Sequence, residues 1–135
     1  MVSKTFKATD QELPNASNFV EEQAELLGLN AKAVMQVLVA LEEMFVNVCH
    51  YAYDQSDPGD ITIDVDISDD KLSVTLIDDG PMYDPLSKED PDVTLDVAER
   101  PIGGLGIFLV KKTMDETAYK YVNNQNNFTF VKNKE

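Results

Sequence analysis

The longest stretches of apolar periodicity in this chain switch from helical to alternating spacing at Asp57-Pro58-Gly59, and that switch points to its fold class. Upstream of it the apolar residues recur at helical spacing. Leu13-Pro14-Asn15 opens a pattern carried by Ala16, Phe19, Val20, Ala24 and Leu27, and Gly28 ends it. Asn30 is then a natural N-cap for a longer helix to about Tyr53, with Val34, Leu38, Leu41, Phe45, Val48 and Ala52 on one stripe. Downstream the period becomes two. Residues 61–67 and 72–77 alternate around Asp69-Asp70 and predict an antiparallel hairpin, and a weaker alternation over 2–8 predicts a first strand. Residues 105–114 read as a short helix, and 117–122 with 127–131 as a closing hairpin around Asn123-Asn124. Helices grouped before strands in this order predict an α+β fold, a two-layer α/β sandwich with helices packed on one face of a mixed, mostly antiparallel sheet.

A chain of 135 residues with 43% apolar side chains predicts a single domain over 1–135. Its charge of -14, from 25 acidic against 11 basic residues, repels a phosphate backbone and argues against direct nucleic-acid binding. A basic protein or a metal-bridged nucleotide is the easier partner. One cysteine, Cys49, makes no internal disulfide, and Met1-Val2-Ser3-Lys4-Thr5 carries no secretion-type apolar segment, so the expected location is cytoplasmic. No apolar run approaches the roughly 20 residues of a membrane span, and no membrane role is expected. Between Pro81 and Pro101 lie four of the six prolines with little apolar periodicity, which predicts a long functional loop.

Three groups of residues carry candidate chemistry. On the second helix, 100° per residue sets Lys32, Gln36, Glu43, Asn47 and His50 on a polar stripe, with Glu43 and Asn47 one turn apart. A carboxylate there can polarise a hydroxyl while the neighbouring amide oxygen ligates a hard cation such as Mg²⁺. By spacing alone the same stripe also reads as a solvated helix face. Asp78 falls in phase with Leu72, Val74 and Leu76, so it points into the core and needs a donor, such as the exocyclic amine of adenine. Gly80 would let the backbone approach such a base, although Asp-Gly-Pro is also an ordinary strand ending. Gly103-Gly104-Leu105-Gly106 feeds a helix whose free N–H groups can hold phosphate oxygens, and Arg100, the only arginine, is a candidate γ-phosphate contact or a plain surface residue.

Glu43-x-x-x-Asn47, Asp78-x-Gly80 and Gly103-Gly104-Leu105-Gly106 together resemble the N, adenine and phosphate boxes of the GHKL ATPase superfamily. Within it, Tyr51-Ala52-Tyr53, Asp78 to Pro85 and Arg100 to Gly106 are most similar to the bacterial anti-sigma factor serine kinases, and Met82 stands where histidine kinases usually carry a second glycine. The resemblance implies Glu43 as general base, Asn47 as Mg²⁺ ligand, Asp78 as adenine acceptor and Thr129 as a second adenine contact. It implies ATP and Mg²⁺ as cofactors, a lid at about 84–104, a homodimer, and as partners a sigma factor and a small anti-anti-sigma (STAS-type) antagonist. His50 is taken as a packing or hydrogen-bonding residue rather than a phosphoacceptor. Two functions stay open: a serine/threonine-protein kinase acting on the antagonist, or a binding module in which ATP only shapes a surface that sequesters a partner.

Overall fold

A computed structural model describes residues 1–53, 56–87 and 104–134, with the side chains of Gly104 and Leu105 outside the description. The described chain runs β1 (Val2–Lys7), α1 (Leu13–Leu27), α2 (Ala31–Asn47), β2 (Asp60–Ser68), β3 (Lys71–Asp78), α3 (Gly104–Thr113), β4 (Glu116–Val122) and β5 (Gln125–Asn133). The five strands form one sheet in the order β1-β2-β3-β5-β4, and every described ladder is antiparallel. Its two hairpins close on Asp69-Asp70 and Asn123-Asn124, all four residues at positive φ. That is the backbone of two-residue hairpin turns, and Asp and Asn are the residues that tolerate it best after glycine.

Local chemistry sets the helix ends. Pro14 sits in the first turn of α1, where its missing N–H is no loss. Gly28 stops that helix in the left-handed region at φ 90°, its N–H turned back to the carbonyls of Ala24 and Glu25. Asn30 caps α2, its Oδ1 accepting from the Ala33 N–H at 2.8 Å.

All three helices cover one sheet face. Register stacks Ile63, Leu76 and Phe128 in one row and Val65, Val74 and Phe130 in the next, all buried. The α2 stripe is rotated from its expected position: Val37, Ala40, Leu41, Met44 and Phe45 are buried, whereas Val34 and Leu38 are only half-buried. The cause is placement, since α2 is flanked by α1 and α3, and the small side chains of Ala33 and Ala40 share the covered arc. By length and mean hydropathy Ala31–Ala52 passes for a membrane span, which corrects the expectation that no segment comes near one. Here Val37, Leu41 and Phe45 are packed in the core of the domain.

After Asn47 the helix widens into a π turn, Val48–Ala52. An inserted residue rotates every side chain beyond it relative to the ideal 100° count. That one turn reshapes the site below.

Candidate active site

In the next row of the sheet, on the same face, Ile61 of β2 is followed by two polar residues. Asp78 of β3 and Asn126 of β5 are register partners, and both are buried. With Asn47 from α2 they line an open cleft whose apolar walls include Met44, Val48 and Phe128. The rings of Tyr51 and Tyr83 stack beside it, 6.3 Å between centroids and 26° apart.

Gly80 closes this cleft in an unexpected way. A Cβ on it would lie 2.6 Å from the Ala52 Cβ and 2.8 Å from the Ala52 carbonyl oxygen. Glycine is therefore required for the exit of β3 to lie against the end of the π turn. Behind it, the Tyr53 hydroxyl accepts from the Asp79 N–H at 2.7 Å and donates to the Asp60 carbonyl at 2.9 Å. Gln125 donates to Asp79 Oδ1 at 2.9 Å from the other side. The segment carrying Asp78 is thus braced from both flanks.

Asp78 Oδ1 accepts from the Gly80 N–H at 2.9 Å and from Asn126 Nδ2 at 3.0 Å. Asp78 also lines the cleft, and among the described residues both of these donors fall on its Oδ1. Burial pushes the Asp78 carboxyl above the usual range, the donors from Asn126 and Gly80 pull it back, and Asp79 adds to the rise. An acceptor oriented by fixed donors, at the edge of an apolar cleft, suits an exocyclic amine.

Asn126 escaped the sequence reading. Its Nδ2 also reaches the carbonyls of Gly80 at 3.2 Å and Pro81 at 2.9 Å, while its Oδ1 accepts from the Tyr83 N–H at 3.0 Å and from the Tyr119 hydroxyl. A polar residue in phase with Phe128 and Phe130 was the available signal. The expected adenine contact of Thr129 is corrected by the same parity. Thr129 lies on the opposite sheet face, where its hydroxyl meets that of Thr75 at 2.8 Å.

Glu43 and Asn47 share a face of α2 as expected, both half-buried. The Glu43 carboxylate abuts the first turn of α3, where a Cβ on Gly106 would fall 2.1 Å from its Oε2. Gly104 and Leu105 are the first two residues of α3, whereas Arg100, Gly103 and residues 88–103 of the expected lid lie outside the described residues. His50 leaves the predicted polar stripe: the π turn sets its Nε2 3.4 Å from Asp10 Oδ1, beside a separate hollow that Cys49 also lines. Burial and then Asp10 push the Cys49 thiol up to about 11, which disfavours the thiolate.

Among the described residues no group of three or more His, Cys, Asp or Glu could hold a metal. A single amide oxygen on Asn47 fits Mg²⁺ only in the manner of nucleotide sites, where phosphates and water complete the shell.

Layered helices on an open antiparallel sheet, with a buried carboxylate at the sheet end and a Glu/Asn pair on the central helix, define a class. The model of the histidine kinase-like ATPase domain matches residues 6–132, and the chain belongs to that family. It is similar to the serine-protein kinase RsbW of Listeria monocytogenes (strain HCC23), 30% identical over 102 residues covering 73% of this chain and 65% of the relative. The serine-protein kinase RsbW of Oceanobacillus iheyensis is 28% identical over 107 residues, 76% of this chain and 65% of the relative. That of Bacillus subtilis (strain 168) is 27% identical over 99 residues, 69% and 61% respectively. The matched region thus spans just under two-thirds of the length of these relatives.

Proposed function

We propose that this chain binds ATP with Mg²⁺ and transfers the γ-phosphoryl group to a serine or threonine hydroxyl of a small anti-anti-sigma antagonist, as an anti-sigma regulatory factor. The observation that carries this reading is the order of groups along α2. Asn47 faces the cleft that holds Asp78, and Glu43, one turn away, meets the glycine-opened end of α3. Base, phosphates and general base then lie in sequence. The names of the relatives support serine as the acceptor.

In this scheme Asp78 Oδ2 accepts from the adenine amine, and the apolar walls hold the ring. The first turn of α3 offers N–H groups to phosphate oxygens. Glu43 takes the proton of the acceptor hydroxyl as its oxygen bonds to the γ-phosphorus and the bond to the β–γ bridging oxygen breaks, leaving ADP. Mg²⁺, held by Asn47 and phosphate oxygens, would neutralise polyphosphate charge. Residues 84–104 act as lid, and the working form is a cytoplasmic homodimer that also engages a sigma factor. Purified protein, labelled ATP and the co-encoded antagonist form the direct test. Nucleotide binding without any transfer would leave the binding-module function in its place.

Two expected outcomes arise here. Calorimetry with EDTA in place of Mg²⁺ should weaken ATP binding by at least about ten-fold, because Asn47 supplies one neutral oxygen and the net charge of -14 opposes a bare polyphosphate. Equal affinity in both titrations removes the metal role of Asn47. Gly106→Ala should slow phosphoryl transfer at least about ten-fold without lowering the melting temperature. The nearest atoms to the added methyl are those of the flexible Glu43 side chain, which swings out of position, while alanine favours the helix by up to about 1 kcal/mol. A Gly106→Ala protein that transfers at the wild-type rate would show that this contact does not set the position of Glu43.

A further inference from the structure

We infer that Asn126 is a positioning residue that sets the preference for adenine over guanine, by fixing which oxygen of Asp78 faces the cleft. The inference rests on the adenine reading of that cleft. Adenine offers a donor amine where guanine offers an acceptor carbonyl, so discrimination requires a carboxylate whose cleft-facing oxygen only accepts. Two donors converge on Asp78 Oδ1, and one of them is the Gly80 N–H, which lies next to the carboxylate in the chain. The other, Asn126 Nδ2, arrives from a different strand and ties the carboxylate to β5.

The same amide holds the cleft wall. Two hydrogens on Nδ2 serve three acceptors, Asp78 Oδ1 and the carbonyls of Gly80 and Pro81, while Oδ1 receives the Tyr83 N–H and the Tyr119 hydroxyl. No single hydrophobic or hydroxyl side chain provides both sets. Loss of Nδ2 frees the carboxylate to rotate, and it also removes a hydrogen bond that opposes the upward push of burial on this acid. A protonated Asp78 could present an O–H to the guanine carbonyl. Selectivity would then fall even where the fold is intact.

The test compares ATP and GTP affinities of the full chain by calorimetry between about pH 5.5 and pH 8, with melting curves as fold control. Asn126→Ala should reduce the ATP:GTP preference about ten-fold or more, whereas Tyr119→Phe, which keeps the ring that lines the cleft and removes only the hydroxyl that donates to Asn126 Oδ1, should leave it within about two-fold. Asn126→Asp keeps the shape and should lose the preference near pH 8. It should recover as the pH falls, because the new carboxyl gains a proton and can donate to Asp78 Oδ1 in place of Nδ2. Facing the pair are Asp79 and Tyr53 behind the exit of β3, Tyr83 and Asp84 after it, Tyr51 across the cleft, and Tyr119 and Tyr121 from β4. All are present in the wild type, so the difference between the two profiles isolates position 126. Wild-type preference at every pH in Asn126→Asp, or in a folded Asn126→Ala, overturns the inference. If the wild type binds ATP no better than GTP, the adenine reading itself falls, and the inference with it.

Discussion

Asp78→Asn should lower ATP affinity by at least about 100-fold while raising the melting temperature of the ligand-free protein near neutral pH. Both donors to Asp78 converge on Oδ1. An asparagine keeps an acceptor oxygen there, so its Nδ2 takes the place of Oδ2 and presents a donor to the adenine amine. Two donors then face each other across a poorly solvated cleft, and sites built around one hydrogen bond reject a ligand that cannot make it by about 10⁴-fold in favourable cases. The stability effect follows from burial, which raises the Asp78 carboxyl above its ordinary 3.8 in the folded protein. A raised acid contributes stability below the unfolded-state value, and that contribution is lost as the pH climbs through the folded-state value. Asparagine has no such loss. The variant should therefore melt higher than the wild type at neutral pH, with the gap closing toward about pH 4. Calorimetry and melting curves at two pH values check both halves. Unchanged ATP affinity would remove Asp78 from the base contact, and a gap that widens on acidification would reverse the sign of the burial effect.

The parts of this molecule legible from sequence are those decided by local chemistry. Gly28 and the Asp69-Asp70 and Asn123-Asn124 turns act through their own backbone preferences, Asn30 through its own side chain, and each falls where the pattern puts it. Period-two counting placed Asp78 on the core face, because a strand offers only two directions. The same counting puts Thr129 on the opposite face from Asp78, yet the resemblance, by position more than motif, pointed to Thr129.

What stayed hidden depends on contacts between distant segments. Nothing local announces the π turn at Val48–Ala52, which turns His50 toward Asp10 and brings Ala52 against Gly80. The rotation of the α2 stripe needs knowledge that both α1 and α3 flank it. The meeting of Glu43 with Gly106 likewise exists only once α3 has docked beside α2. Gly80 and Gly106 each lie against a protein segment distant in sequence, a relation that sequence spacing does not carry.

Glu43→Ala separates chemistry from binding. Glu43 is absent from the residues lining the cleft around Asp78, so its removal should leave ATP affinity within a few-fold. Transfer to the antagonist should slow by on the order of 10²-fold or more, the usual effect of losing a general base. Glu43→Gln keeps the volume beside Gly106 and removes only the proton-accepting carboxylate, and a comparable slowing would assign the effect to acid–base chemistry rather than to a void. The contact with Gly106 supplies a further constraint. If Gly106→Ala acts by displacing Glu43, the double variant should be no slower than Glu43→Ala alone, since a group already absent cannot be displaced. Multiplying effects would mean that Gly106 has its own contact with the phosphates. Single-turnover rates and nucleotide titrations on the four proteins decide among these outcomes, and a Glu43→Ala protein that phosphorylates the antagonist at the wild-type rate would refute the catalytic assignment.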